Sequence, residues 1–237
     1  MKNKTRYIGL NQRIPFDVLD SSICFYLNNG IIDKDHIFEK MQIYTSGVNR
    51  AKKSTNYVVQ ILSRQKKFLD QFKKTIENTK YESLRVDDRK ALCLCLISIT
   101  FPIAYELLIS LGKGFKVQCQ INKKFISEKV MSIYGSNRTV DIAIDALLPM
   151  LIELNAIKRV KVSIYSRGEK LIVNNKFIFE LIIFTDIILS NSKSILIDEL
   201  GFKSWYVFFD ISGFSLIDFS QLLTKKDSAV GMGYLLI

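Results

Sequence analysis

Histidine is almost missing from this sequence: among 237 residues there is only His36. That excludes His-rich hydrolytic sites and leaves the usual nucleophile–histidine triads without support. The four cysteines (Cys24, Cys93, Cys95 and Cys119) contain no CxxC pair. A structural zinc needs about four Cys/His ligands at clustered spacing, so none is expected. Cys93 and Cys95 lie two apart in an apolar run and read as buried free thiols, which suits a reducing cytoplasm. No GxxxxGK[ST] loop cradles a phosphate; LGKGF at 111–115 reads as a helix end. Asp87 and Asp88 read as an N-cap and its neighbour, not as a metal pair. The expectation is a non-enzymatic protein without cofactor or metal. Proline is also scarce, at three positions, while 48% of residues are hydrophobic. Both figures favour a folded, mainly helical chain.

Acidic charge is what the first part of the chain lacks. Residues 1–135 hold 23 Lys/Arg against 12 Asp/Glu, whereas residues 136–237 hold 11 of each. The whole net charge of +11 therefore lies in the first part. It is densest over 48–80, where Arg50, Lys52, Lys53, Arg64, Lys66, Lys67, Lys73, Lys74 and Lys80 face only Asp70 and Glu77. Such a local field attracts polyanions. A compositional lysine bias would raise lysine everywhere and does not explain a neutral second part.

The first part reads as successive helices. One spans 17–27 and is stopped by Asn28-Asn29-Gly30, and a short one follows Asp33. A long one covers 46–78, with Val58, Ile61, Leu62, Phe68, Leu69, Phe72 and Ile76 recurring at three and four and the lysines opposite. Asp87 or Asp88 caps the next, whose body is the run 91–111, ALCLCLISITFPIAYELLISL, ended by Gly112 and Gly114. That run has the length of a bilayer span, about 20 residues. Glu106, Pro102 and the polar Ser98, Thr100 and Ser110 argue instead for the central helix of a bundle. The polar, basic opening MKNKTRYIGLNQR carries no secretory signal, so the reading is a cytoplasmic protein without a membrane span.

After Gly114 the pattern changes. Asn122 caps a short helix, Gly135 breaks it, and Ser136 or Asn137 caps another that runs to about Leu154, with Pro149 bending or breaking it. KRVKVSIYS then alternates, with Val160, Val162 and Ile164 on one face and Arg159, Lys161 and Ser163 on the other. Ser-Arg-Gly-Glu forms the turn and KLIV returns. The expected fold is mainly α: a helical bundle with a basic face over 1–116, then a winged-helix-like helix-turn-helix plus β-hairpin, and an α-rich C-terminal segment, over 117–237.

Two surfaces are candidates for double-stranded DNA. In the winged-helix segment the helix start offers backbone amides with Ser136, Asn137, Arg138 and Thr139, and the hairpin offers Lys158, Arg159, Lys161, Arg167 and Lys170. Asp141 and Asp145 share one face of that helix and repel phosphates, so docking is expected by its first turn. The second surface is the basic face with Arg50, Lys52, Lys53, Arg64, Lys66 and Lys67. The plain alternatives are a helix and hairpin that only pack together, and a solvated helix exterior. No aromatic–lysine interleaving points to single strands.

The order of features resembles the BrxA family of BREX phage-resistance systems. The matching stretches are SGVNRAKKSTNYVVQILSRQKKFL, SNRTVDIAIDALLPMLIELNAIKR and the aromatic-rich ending ILIDELGFKSWYVFFDISGF…LL…GYLLI. The resemblance covers most of the chain by pattern, with no catalytic motif. It implies a helical region similar to the antitermination factor NusB, duplex DNA binding, and other BREX proteins as partners. The arginine content of the hairpin is lower than the family's. Competing expectations are a winged-helix transcription regulator and a membrane-associated or scaffold subunit. Oligomeric state and sequence preference have no signal in the residues.

Overall fold

The computed structural model describes residues 7–76, 80–214, 219, 221–229 and 231–237. The first six residues, Glu77 and residues 215–218 of the C-terminal segment lie outside the described residues. The protein is mainly α-helical, with three small sheets among the described residues.

Helix α1 (Phe16–Asn29) ends at Gly30, whose φ of 73° is left-handed and whose N–H returns to the Tyr26 carbonyl at 2.7 Å. Asp33 caps α2 (Lys34–Tyr44) by accepting the His36 N–H at 3.0 Å. The single helix expected over 46–78 is instead two, α3 (Val48–Arg64) and α4 (Lys66–Thr75), broken at Gln65. The Gln65 side chain is buried there and donates to Thr100 Oγ1 at 3.0 Å. An amide turned into the core needs such a partner. The apolar stripe survives the break, because Val58, Ile61, Leu62, Leu69 and Phe72 all stay buried.

The run 91–111 is not one helix either. Helices α5 (Val86–Thr100) and α6 (Pro102–Phe115) meet at a bend of 116°. Pro102 has no N–H to continue α5 and holds Phe101 outside the helical region, yet it suits the first position of α6. Among the described residues no single helix is long and apolar enough to cross a membrane. Gly112 and Gly114 fall inside α6 and do not end it. Gly112 has another reason: a Cβ there would strike the Ser204 carbonyl, so glycine lets the segment 204–208 lie against α6. Asp87 and Asp88 do not cap α5, which starts one residue earlier. Asp87 accepts the Ile172 N–H at 3.1 Å, and Asp88 accepts those of Asn174 and Asn175 at 2.9 and 3.0 Å. They tie the start of α5 to the lead into α9 (Lys176–Leu189).

Between them lies a compact unit. Strand β1 (Gln120–Asn122) leads into α7 (Lys123–Tyr134), α8 (Arg138–Glu153), β2 (Ile157–Lys161) and β3 (Ile164–Arg167). Asn122 caps α7 and Asn137 caps α8, each through its side-chain oxygen. Helix α8 continues through Pro149, and Asn155 follows it at a left-handed φ of 61°. The strands form an antiparallel sheet in the order β1-β3-β2, with Ile121 opposite Tyr165 and Ile157 opposite Arg167.

The hairpin differs from expectation. Its turn is Val162-Ser163, with Ser163 at φ 61°, and not Ser-Arg-Gly-Glu. A bulge between Arg159 and Lys161 breaks the alternation, so Val160 and Val162 are 48% and 77% exposed instead of lining a core face. KLIV leaves this sheet altogether: β4 (Leu171–Ile172) pairs in parallel with β6 (Phe209–Asp210). Antiparallel strands β5 (Ser194–Leu196), β8 (Tyr234–Leu236) and β7 (Thr224–Lys226) form the third sheet, in that order.

Helix α9 is buried nearly all round and packs on α5. One hydrophobic cluster joins the helices on both sides of residue 116, from Leu10 to Leu235.

Candidate nucleic-acid interface

The basic face is built by the stripe that buries its reverse side. On α3 the core positions Ala51, Ser54, Thr55, Val58, Ile61 and Leu62 fix the rotation, which puts Arg50, Lys52, Lys53 and Arg64 in water. On α4 the same logic exposes Lys66, Lys67, Lys73 and Lys74. These cations are not equivalent. Lys66 Nζ donates to the Tyr26 hydroxyl at 2.8 Å and lies 3.2 Å from Asp70 Oδ2, while the Tyr26 hydroxyl donates to Asp70. Tyr26 first, then Asp70, holds the Lys66 ammonium above its ordinary value. Tyr26 and Lys66 hold the Asp70 carboxyl below its own. Lys66 is thus locally compensated. Lys52, Lys53 and Lys67 make no ion pair among the described residues.

In the second unit, Ser136, Asn137, Arg138 and Thr139 are all exposed. Asn137 Oδ1 is occupied by the Val140 N–H at 3.1 Å, which leaves the Arg138 and Thr139 amides as the ones an anion can meet. Asp141 and Asp145 lie further along α8. Asp145 is ion-paired with Lys123 of α7, so its repulsion of a phosphate is partly offset. Along β2 only Ile157 is buried; Lys158, Arg159, Val160 and Lys161 all face solvent. Arg167 stands exposed at the end of β3, opposite Ile157. Lys158 Nζ lies 2.6 Å from Glu169 Oε1 with both groups in water, a pair of little worth that a phosphate can replace.

Sequence reasoning passed over Arg13. It precedes α1 in a segment without periodicity, yet it is ion-paired with Glu153 at the end of α8 and shares a cleft with Arg50. Nothing in its local sequence distinguishes it from any loop arginine.

The thiols are not equivalent either. Cys93 and Cys95 are buried, Cys24 is half-buried and Cys119 is exposed. No group of three or more His, Cys, Asp or Glu side chains among the described residues is arranged to hold a metal ion. No protein-family model, no curated protein and no solved structure matches the chain.

Proposed function

We propose that this chain is a non-enzymatic protein that binds double-stranded DNA mainly through its phosphates, with low sequence specificity. On this reading, residues 102–167 form a winged-helix unit. One observation carries it. The order α6, β1, α7, α8, β2, β3, with the sheet order β1-β3-β2, ends in an edge strand that buries nothing beyond Ile157 and carries Lys158, Arg159 and Lys161 into solvent. A hairpin that only packed would bury one of its two faces along its length. The segregation of positive charge onto α3–α4 supports the same partner. The resemblance to the BrxA family leads us to propose the role of an accessory factor in a BREX-type defence system, hence cytoplasmic, alongside other BREX proteins.

The test is a titration of unrelated duplexes at two salt concentrations. Similar affinities for all of them, falling by about two to three powers of ten between 50 and 200 mM salt, are expected for some five phosphate contacts. No binding at low salt, or binding indifferent to salt, would sink the reading. A transcription regulator built on the same unit would instead protect one defined operator in a footprint.

A further inference from the structure

A cleft opens beside the start of α3. Arg13, Arg50, Gln12, Thr45 and Ser54 line it, with a volume of roughly 170 Å³. Two arginines thus border one space large enough for a phosphate group. Their charges are balanced differently. Arg13 is paired with Glu153, whose other oxygen accepts the Phe16 N–H at 2.8 Å. Arg50 makes no ion pair among the described residues, and its Cδ lies 3.5 Å from where a side chain on Gly47 would begin. Tyr44, which also lines the cleft, donates its hydroxyl to Asp17 at 2.8 Å. The Ser54 hydroxyl donates to the Arg13 carbonyl at 2.9 Å and fixes that backbone against α3.

The position matters as much as the chemistry. Glu153 ends α8, and the chain beyond it passes Asn155, whose carbonyl lies against Gly168, the residue after Arg167. Arg13 is thus linked, through Glu153, to the base of the basic hairpin.

We propose that the Arg13–Arg50 cleft is a phosphate-binding site. As a contact for the phosphate of a DNA strand that runs from α3 to the hairpin, it rests on the reading above. Two guanidinium groups suit a tetrahedral oxyanion because each presents a fork of N–H donors. A phosphate here competes with Glu153 for Arg13.

Amide NMR of the full chain tests this, with inorganic phosphate titrated against chloride at constant ionic strength. Saturable shifts centred on Val48, Asn49 and Arg50 are expected. Arg50→Ala, an exposed position, should weaken them about tenfold or more. Glu153→Gln, which releases Arg13, should strengthen them. Shifts equal to those in chloride, or unchanged in Arg50→Ala, overturn the site. A 20-base-pair duplex forms the second arm. If it moves the same amides and Arg50→Ala lowers its salt slope by about one, the occupant is a strand phosphate. If phosphate binds and the duplex does not, the site stands for a free phosphate and the DNA reading fails. If the duplex binds but leaves these amides and its salt slope unaffected by Arg50→Ala, the DNA reading stands and the proposed site is overturned.

Discussion

Charge on α3–α4 and charge on α9 are put to opposite uses. The cations of α3–α4 stand in water, with Asp70 as the near counter-charge of Lys66. Helix α9 carries two carboxylates, Glu180 and Asp186, both fully buried. Glu180 Oε2 accepts three successive backbone N–H groups, from Gln221, Leu222 and Leu223, at 3.0, 2.7 and 3.2 Å. Asp186 is ion-paired with Lys203 and accepts the hydroxyls of Tyr105 at 2.6 Å and Tyr206 at 3.3 Å. Burial first, then the Asp186 charge, pushes both phenols above their ordinary range. The balanced charge of the C-terminal part is therefore no lack of electrostatics. Glu180 and Asp186 hold the fold together from inside, whereas Lys52, Lys53 and Lys67 of the basic face stand in water with no ion pair among the described residues.

The sharpest way to break this contrast is to remove an internal acid. Glu180→Ala leaves three backbone donors without their acceptor, at a cost of roughly 3 kcal/mol or more. The urea midpoint should fall accordingly, and a loss below about 1 kcal/mol would show that water or another group takes its place. The external cations should behave in the reverse way. Reversing Lys52, Lys53 and Lys67 to Glu should cut duplex affinity by about a hundredfold at low salt. The thermal midpoint should move by no more than about 2 °C. Lys66 is left out of that set because Asp70 would then face a like charge. A smaller effect is expected at the start of α8. Arg138→Ala should weaken binding by about threefold, with the salt slope lowered by no more than about one. A loss equal to that of the triple reversal would move the main contact to the helix start.

Much of this layout is legible in the sequence, and the failures share a cause. Asn28-Asn29-Gly30, Asp33, Asn122 and Asn137 act through local geometry, so each marks its helix end correctly. Periodicity places the buried stripe of α3–α4 but is blind to the break at Gln65, since a stripe that resumes after one residue keeps its spacing. Pro102 was visible as an obstacle within 91–111, yet only packing turns it into a bend of 116°. Gly168 draws the expected hairpin turn to itself, whereas the real turn, Val162-Ser163, has no turn-forming glycine. Gly168 answers instead to the close approach of the Asn155 carbonyl. Asp88 and Glu180 look like surface acids in a list of residues. Their roles depend on backbone amides 86 and 41 residues away, which no local pattern encodes.

The smallest expected effect concerns a group between the two extremes. The half-buried Cys24 thiol donates to Glu82 Oε1 at 2.8 Å. Burial, followed by Glu82, pushes it up to about 11 from an ordinary value of 9.0. The folded chain thus holds this proton where the unfolded chain has released it. Its stabilising contribution is complete below pH 9 and is lost as pH rises towards 11. Glu82 shifts the opposite way, below its ordinary value, chiefly through the same hydrogen bond. Its contribution is present at neutral pH and is lost as pH falls through the acidic range. At pH 8 the Cys24 thiolate should be about a hundredfold scarcer than in an unfolded chain. Timed alkylation followed by peptide mass mapping should therefore label the exposed Cys119 first and Cys24 much later. The buried Cys93 and Cys95 should react only after denaturant is added. Glu82→Gln should speed Cys24 by less than about tenfold, because burial is the larger cause and survives the change. Equal rates for Cys24 and Cys119 in the unaltered chain would mean that this edge of α1 opens to solvent, and that the division between internal and external charge is less sharp there than on α9.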